Sequence, residues 1–158
     1  KLRREKPSAL LVIAGRSGNA SKALAEAAAT AGTGIRFVGH RDDVPELMAA
    51  ADAFALPSLW EGLGGVLIEA MALELPIVSS DLPPTREVLA NGARGLLVAP
   101  GDEAQLAAAL LRLGADVDLA RRLSDEGRRA FELQFTLQAS AERLLQVFER
   151  TRSGRRQP

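Results

Sequence analysis

Two glutamates, Glu61 and Glu69, flank the stretch of this sequence whose residue types are best suited to chemistry. The residues that follow Glu61 combine glycines with apolar side chains: Gly62, Leu63, Gly64, Gly65 and Val66. Because this segment lies between a short apolar run and a helical pattern, it predicts a strand, a glycine-rich turn and a helix N-terminus. Such a terminus is an anion site, since its first N–H groups are free and the helix dipole favours negative charge. Glycines also allow the backbone to approach a ligand closely.

The surroundings of Glu69 suggest what the second glutamate binds. Residues 66–73 are otherwise apolar, which is typical of a buried helix. A carboxylate buried in such a helix costs several kcal/mol unless it is hydrogen-bonded, and helical side chains lean toward the helix N-terminus. We therefore expect Glu69 to be buried and to accept from ribose hydroxyls, and Glu61 to accept from another hydroxyl. The alternative is that Glu69 pairs with a distant arginine and that Glu61 lies in water.

The sequence resembles the retaining glycosyltransferases of the GT-B fold, family 4 type. The resemblance lies in the motif that starts at Pro57, Pro-Ser-x-x-Glu-Gly-x-Gly-x-x-x-x-Glu-Ala-Met-Ala. The resemblance runs over residues 10–148. It implies that the chain is the C-terminal, donor-binding domain, which takes a nucleotide-diphosphate sugar. In the family the first glutamate contacts the donor sugar and the second the ribose. Glu61 is thus expected to be the catalytic residue and Glu69 the ribose-binding one, with the backbone between them holding sugar and phosphate.

The sequence departs from the family pattern at a few positions. Leu63 stands where Phe is common, Gly65 where Leu is common, and Pro83 and Pro84 near a frequent glycine pair. The family also carries an Arg and a Lys on a first strand and helix, upstream of where this chain begins. The resemblance thus predicts a missing N-terminal GT-B domain and a sheet that lacks a central member beside residues 10–13.

For the intact enzyme, the resemblance implies transfer of a glycosyl group to a hydroxyl acceptor with retention, without a metal or another cofactor. The chain alone is expected to be inactive. A cytoplasmic location, with peripheral membrane association of the full enzyme left open, follows from the same resemblance. The alternatives are a nucleotide-sugar binding module without turnover, a GT-B-fold epimerase, and a structural Rossmann-like domain.

Composition excludes several other classes of protein. The formal net charge is +0, so the composition does not indicate a nucleic acid as a partner. With 1 histidine, His40, and no cysteine, a metal site of the usual kind is not expected. No apolar run is long enough to span a bilayer.

The pattern of short apolar runs and helices predicts an α/β fold, a Rossmann-like parallel sheet flanked by helices. Strands are expected over residues 9–14, 35–38, 53–57, 76–80 and 95–98. The first is expected to be buried on both faces, and the strand over residues 76–80 is also expected to be buried. One domain, residues 1–152, precedes a frayed basic tail, residues 153–158. The last helix, over residues 137–152, carries an apolar face that is expected to be partly exposed.

Further candidate residues follow the ends of the predicted strands, which meet at one edge of a parallel sheet. These neighbours of a base or phosphate are Gly15, Arg16, Gly39, His40, Arg41 and Ser58. The turn at Gly15 lacks the spacing of a dinucleotide fingerprint, which disfavours a dehydrogenase. Arg16 is better interpreted as a solvated loop arginine than as a phosphate contact.

Two helix starts also carry a sequence signature. Asp43 with Glu46, and Asp102 with Gln105, have the spacing of a capping box. Each pair therefore predicts an aspartate that accepts from the first-turn amides of the following helix.

Overall fold

Short apolar segments alternate with helices along the chain, and each predicted strand is found at or near its expected position. The computed structural model describes residues 2–16, 18 and 21–154. The strands in this part of the chain are Leu11–Ala14 (β1), Ile35–Gly39 (β2), Phe54–Leu56 (β3), Ile77–Ser80 (β4) and Leu96–Val98 (β5). The α-helices are Leu2–Glu5 (α1), Ser21–Ala31 (α2), Val44–Ala49 (α3), Gly65–Ala72 (α4), Pro83–Val88 (α5), Glu103–Ala115 (α6), Val117–Ala130 (α7) and Leu137–Gly154 (α8).

All of the paired strands are parallel, as the sequence predicts, but they form two sheets where one was expected. β1 pairs with β2, and β3, β4 and β5 form a second sheet in that order. Within residues 2–16, 18 and 21–154, no strand pairs with the second edge of β1 or of β3. The division thus lies beside β1, where the resemblance predicts a missing central member. The α/β class with parallel sheets flanked by helices is confirmed.

The core surrounds β4, whose four residues are all buried. Ile77 belongs to a cluster that includes Leu67 and Met71 of α4, while Val78, the next residue, packs with Leu123 of α7. Successive strand residues point to opposite faces, so β4 is covered on both sides and holds the helices of the second sheet in place. The loop before α4 is therefore attached to the best-packed part of the fold.

The first strand is less buried than the sequence predicts. Leu11 and Val12 are 48% and 44% exposed, although the run was expected to be buried on both faces. The reason is that, within the described part of the chain, β1 pairs with β2 alone, so one of its edges lacks the neighbour that an inner strand has. Burial of an apolar run depends on such neighbours, which the run itself does not encode.

We predict that the β1–β2 sheet opens before the β3–β5 sheet. A two-stranded sheet with exposed side chains is marginally stable, and local opening begins where few apolar groups are buried. In native-state hydrogen exchange, the amides of β1 and β2 should exchange with opening free energies at least roughly 1 kcal/mol below those of β4. Equal protection in the two sheets would instead mean that the domain opens as one unit.

The two predicted capping boxes have different outcomes. Asp102 is confirmed as a cap, since its Oδ1 accepts from the N–H groups of Ala104 and Gln105, each at 2.9 Å. The Gln105 side chain instead accepts from the Ala99 N–H at 3.0 Å. The Asp43 prediction is wrong: its carboxylate makes no cap hydrogen bond.

The partner that Asp43 takes is the guanidinium of Arg41. Arg41 Nε donates to Asp43 Oδ1 at 2.6 Å, and Nη2 donates to Oδ2. A bidentate, charge-assisted pair is stronger than a bond to a neutral amide, so the arginine two residues away outcompetes the helix terminus.

The C-terminal part of the chain is helical, and the last helix extends slightly beyond its predicted end. α7 ends at Ala130 and continues as a π-helical turn, Phe131–Phe135. α8 continues two residues past the predicted end at 152, and residues 155–158 of the predicted tail lie outside the described residues. Leu137 is 89% exposed, and Leu144, Leu145 and Phe148 are also exposed, which confirms the expected exposed face.

Candidate functional site

The N-terminus of α4 lies directly after the loop that follows β3, as the sequence predicts. Gly64 is the N-cap, with a φ of 70°, and no side chain caps this helix. Only glycine adopts this left-handed conformation without strain. Because the cap has no side chain, none competes with an anion for the N–H groups at the start of α4, and the helix dipole adds positive potential there.

The glycines of this loop serve two different purposes. A Cβ added at Gly64 would lie 3.2 Å from Leu67 Cδ1, so this buried position is filled from within the protein. A Cβ added at Gly62 or Gly65 would meet nothing within 4 Å. Open space therefore adjoins the backbone at those two positions, which is the arrangement that a closely bound ligand requires.

Ser58 and Glu61 are brought together within the loop. Ser58 Oγ donates to Glu61 Oε1 at 2.7 Å, and both residues are half-buried. A hydroxyl that donates to a carboxylate forms a strong, charge-assisted bond, which holds Glu61 in one orientation. Since a carboxylate can accept several hydrogen bonds, Glu61 retains acceptor capacity for the hydroxyls of a ligand.

The prediction that Glu69 is buried is wrong. α4 buries Leu67, Ala70 and Met71, but Glu69 is exposed. The helix is thus apolar on every side except the one that carries this carboxylate. Among the described ion pairs none involves Glu69, so the alternative of an internal arginine partner gains no support. An exposed carboxylate within one turn of the anion site is accessible to a ligand bound there.

The predicted residues at the ends of β1 and β2 form a second group. The Gly15 N–H donates to the Gly39 carbonyl oxygen at 2.8 Å, which joins the two strand ends. Arg16 and His40 are exposed, and His40 Nε2 lies 3.8 Å from Asp42 Oδ1. Among the described hydrogen bonds, none joins this group to the Ser58–Glu61 pair.

Arg41, also predicted near a phosphate, is held by Asp43. The hydrogen bond from Arg41 keeps the pKa of the Asp43 carboxyl below its usual value. The guanidinium of Arg41 is therefore already neutralised by a neighbour, and it is less suited to bind phosphate than the sequence suggests.

Sequence reasoning missed Thr85, which lies beside the α4 terminus. Thr85 is fully buried, its Oγ1 lies 2.5 Å from the Ser80 carbonyl oxygen, and it accepts from the Leu82 N–H at 3.1 Å. Its methyl carbon lies 3.7 Å from a Cβ built on Gly64. Thr85 thus fixes the start of α5 against the glycine loop. Its position three residues after Leu82, where a capping-box side chain stands, is the signal that could have revealed it.

A second feature missed in the sequence is the pair between Asp81 and Arg86. Arg86 donates to both carboxylate oxygens of Asp81, at 2.7 and 2.8 Å. Chiefly through these hydrogen bonds, Arg86 holds the pKa of Asp81 below its ordinary value. The pair closes the turn between β4 and α5 on the outer side of the loop.

We predict that the Asp81 pair contributes to stability only above the acid range. Because its pKa is lowered in the folded protein, its contribution is present above the unfolded value, about 3.9, and is lost as the pH falls through the lowered folded value. Asp81→Asn should therefore lower the free energy of unfolding at pH 7 and weaken its decline below about pH 4. Denaturant unfolding at a series of pH values measures both effects. The exposed Asp125→Asn is the control, and an identical pH profile in the two variants would contradict the prediction.

The described residues contain neither a metal-binding cluster nor a membrane-spanning helix. No group of three His, Asp or Glu side chains there is arranged to hold a metal ion. None of the helices in the same residues is long and apolar enough to cross a membrane.

Comparison with known proteins gives consistent results. The profile of the family "Glycosyl transferases group 1" matches residues 1–116. Glycogen synthase of Mycobacterium tuberculosis is 36% identical over 162 aligned residues, which cover 100% of this chain and 39% of that protein. The chain therefore spans about two fifths of the length of this relative.

Solved structures show the same fold. Sucrose-phosphate synthase of Thermosynechococcus elongatus matches with a TM-score of 0.82 and 27% identity, over 97% of this chain and 41% of that one. The Anabaena protein HepE, in complex with UDP-glucose, matches with a TM-score of 0.82 and 24% identity, over 90% of this chain and 41% of that one. The chain thus belongs to the glycosyl transferases of group 1 and has the fold of the C-terminal domain of a GT-B glycosyltransferase.

Proposed function

We propose that this chain binds a nucleotide-diphosphate sugar at the N-terminus of α4. The observation that carries this proposal is the open, uncapped helix start at Gly64, with Glu61 held by Ser58 before it in the chain and the exposed Glu69 about one helical turn after it. The site combines positive potential for a diphosphate with two carboxylates that accept from hydroxyls. A nucleotide sugar has its diphosphate between two hydroxyl-bearing rings, and this order matches the order of the groups along the chain.

Each part of the site has a role in the proposed reaction, which transfers the glycosyl group to a hydroxyl acceptor with retention. Glu69 accepts from the ribose hydroxyls, the backbone of residues 62–66 holds diphosphate and sugar, and Glu61 orients the sugar. The barrier falls because amides and the helix dipole, fixed in advance, stabilise the charge that develops on the departing diphosphate. These groups supply positive potential from the backbone, which supports a reaction without a metal.

The longer relatives suggest how the reaction is divided between domains. Because the chain spans 39% of the glycogen synthase relative, we propose that an N-terminal GT-B domain completes the acceptor side and supplies further basic groups. The chain alone would then bind the donor without turnover, in the cytoplasm. Peripheral association of the whole protein with a membrane is compatible with this arrangement.

Calorimetric titration of the 158-residue chain with UDP, GDP and ADP, and then with their glucose and mannose derivatives, tests the proposal. UDP is the first nucleotide to use, because HepE was crystallised with UDP-glucose. We expect saturable binding of one nucleotide series. If none of these compounds binds, the proposed function is wrong.

A transferase assay on the longer protein distinguishes the second candidate, a binding module without turnover. This second candidate applies to the isolated chain, because the chain spans 39% of the glycogen synthase relative. Binding to the chain together with transfer by the longer protein supports the transferase. Binding in both without transfer in either supports the module.

We predict that Gly62→Ala weakens donor binding without loss of stability. The added methyl group enters open space, and the φ of Gly62 is not positive, so the fold accommodates an alanine there. The same methyl group blocks the approach of a diphosphate to the backbone, which should weaken binding at least roughly tenfold, or about 1.4 kcal/mol.

The matched control is Gly114→Ala within α6, where a Cβ would meet only the end of the Lys6 side chain. It makes the same chemical change away from the proposed site and should leave binding unchanged. Calorimetry measures the affinity, and thermal unfolding measures the stability. Undiminished affinity in the Gly62 variant would show that the ligand does not approach this part of the backbone.

A further inference from the structure

The loop between β3 and α4 has two chemically different sides. Ser58 and Glu61 form the half-buried polar side. Three apolar residues form the other, which we name the apolar lip: Leu59, Trp60 and Leu63, exposed by 69%, 84% and 61%. Such exposure of adjacent large apolar side chains is unfavourable in water, and at the mouth of a site it is typical of a binding surface.

The apolar lip extends toward the loop after β5. Leu59 Cδ2 lies 3.7 Å from the position of a Cβ on Gly101. Residues 99–104 line a shallow depression there, at the start of α6. The lip therefore adjoins this depression, which Asp102 and Glu103 also line.

The position of Trp60 next to Glu61 indicates which part of the ligand meets the lip. In the proposed function, Glu61 orients the donor sugar, and Glu69 contacts the ribose. Because Trp60 directly precedes Glu61 in the chain, we assign the lip to the sugar end of the site, where the acceptor hydroxyl must approach.

We propose that the apolar lip binds a saccharide acceptor and that Trp60 is a specificity-determining residue for it. A pyranose ring has an apolar face of C–H groups and an edge of hydroxyls. The face stacks on an indole ring, whose electron-rich π face attracts the slightly positive hydrogens, while the hydroxyls reach water and the Glu61 side of the loop. This inference rests on the proposed function and adds the class of the acceptor.

Trp60 is the single tryptophan of the chain, so its fluorescence reports directly on what covers it. Acrylamide quenching is measured on the 158-residue chain alone, with saturating UDP, and with UDP plus oligosaccharides of glucose, mannose, galactose or N-acetylglucosamine. We expect efficient quenching in the first two states, and at least a twofold lower quenching constant with one oligosaccharide. If UDP alone protects the indole, or if no oligosaccharide does, the inference is wrong.

Variants of the same residue give a second readout. Trp60→Leu keeps an apolar side chain and removes the aromatic ring, so it should abolish oligosaccharide binding and leave UDP affinity within twofold. Trp60→Phe should restore part of that binding. Because Trp60 is exposed, neither change removes a buried contact. Equal oligosaccharide binding in the wild type and the leucine variant would overturn the proposal.

UDP titration separates this inference from the proposed function. Failure of the chain to bind any nucleotide overturns the proposed function. Normal UDP binding with an indole that no oligosaccharide protects overturns only the role of the lip.

Discussion

Replacing Glu69 with glutamine is expected to weaken UDP binding by a factor of roughly 10 to 100 without a measurable change in stability. A hydrogen bond to a charged group contributes about 1.5–3 kcal/mol, and about 1.4 kcal/mol corresponds to tenfold in affinity. Glutamine keeps the shape of the side chain and loses its charge. Because Glu69 is exposed and no described ion pair holds it, the fold should change by less than about 0.5 kcal/mol.

Glu87→Gln is the matched control, since Glu87 is an exposed glutamate on the adjacent helix α5. Calorimetry with UDP should give the wild-type dissociation constant for this control. Comparison of UDP with 2′,3′-dideoxy-UDP extends the test. The wild type should bind UDP more tightly than the dideoxy compound, because only UDP carries the ribose hydroxyls. The Glu69 variant should bind the two compounds with nearly equal affinity. Full UDP affinity in the Glu69 variant would remove the ribose role from this residue.

Replacing Leu67 with alanine is expected to cost about 2–5 kcal/mol of the free energy of unfolding. Leu67 is 0% exposed and belongs to the larger core cluster, with Met71 and Ile77. Truncation leaves a cavity that the surrounding side chains fill only in part. Since a domain of this kind is stable by about 5–15 kcal/mol, the loss is a large part of the total.

Leu137→Ala makes the same chemical change at a position that is 89% exposed, on α8. It should alter the free energy of unfolding by less than about 0.5 kcal/mol. Urea unfolding of the two variants measures the difference. Similar midpoints for both would mean that Leu67 is not part of a cooperative core.

The same leucine also supports the site. Its Cδ1 lies against Gly64, the residue that begins α4, and its backbone N–H donates to the Gly64 carbonyl oxygen at 2.8 Å. Loss of the side chain therefore loosens the helix start at which the diphosphate is proposed to bind. The core and the site are thus connected through one turn of helix.

The sequence predicted those parts of the molecule that depend on neighbouring residues. The glycine turn before α4 was identified because glycine spacing and a following apolar helix are local patterns, and Gly64 adopts the conformation that such a turn needs. β4 was correctly expected to be buried, since residues 76–80 are apolar or small and lie between helices. Strand positions followed from the length and spacing of the apolar runs.

The wrong predictions concern properties that other parts of the chain decide. Whether Glu69 is buried depends on which elements cover its side of α4, and the composition of the helix does not reveal that. The burial of β1 depends on a strand beside it. Asp43 had the correct spacing for a cap, but competition from Arg41 determined its partner. In each case a tertiary or charged contact outweighed the local pattern.

The division of the strands into two sheets has a consequence for the behaviour of the chain at high concentration. Among the strands that the structure describes, each sheet has two outer ones, and the unpaired amides and carbonyls of an outer strand can pair with an extended segment that reaches them. Leu11 and Val12 add apolar side chains to one such strand. Self-association through main-chain pairing at β1 is thus the characteristic hazard of this fold when it is handled as an isolated polypeptide, and dilution is its simplest remedy.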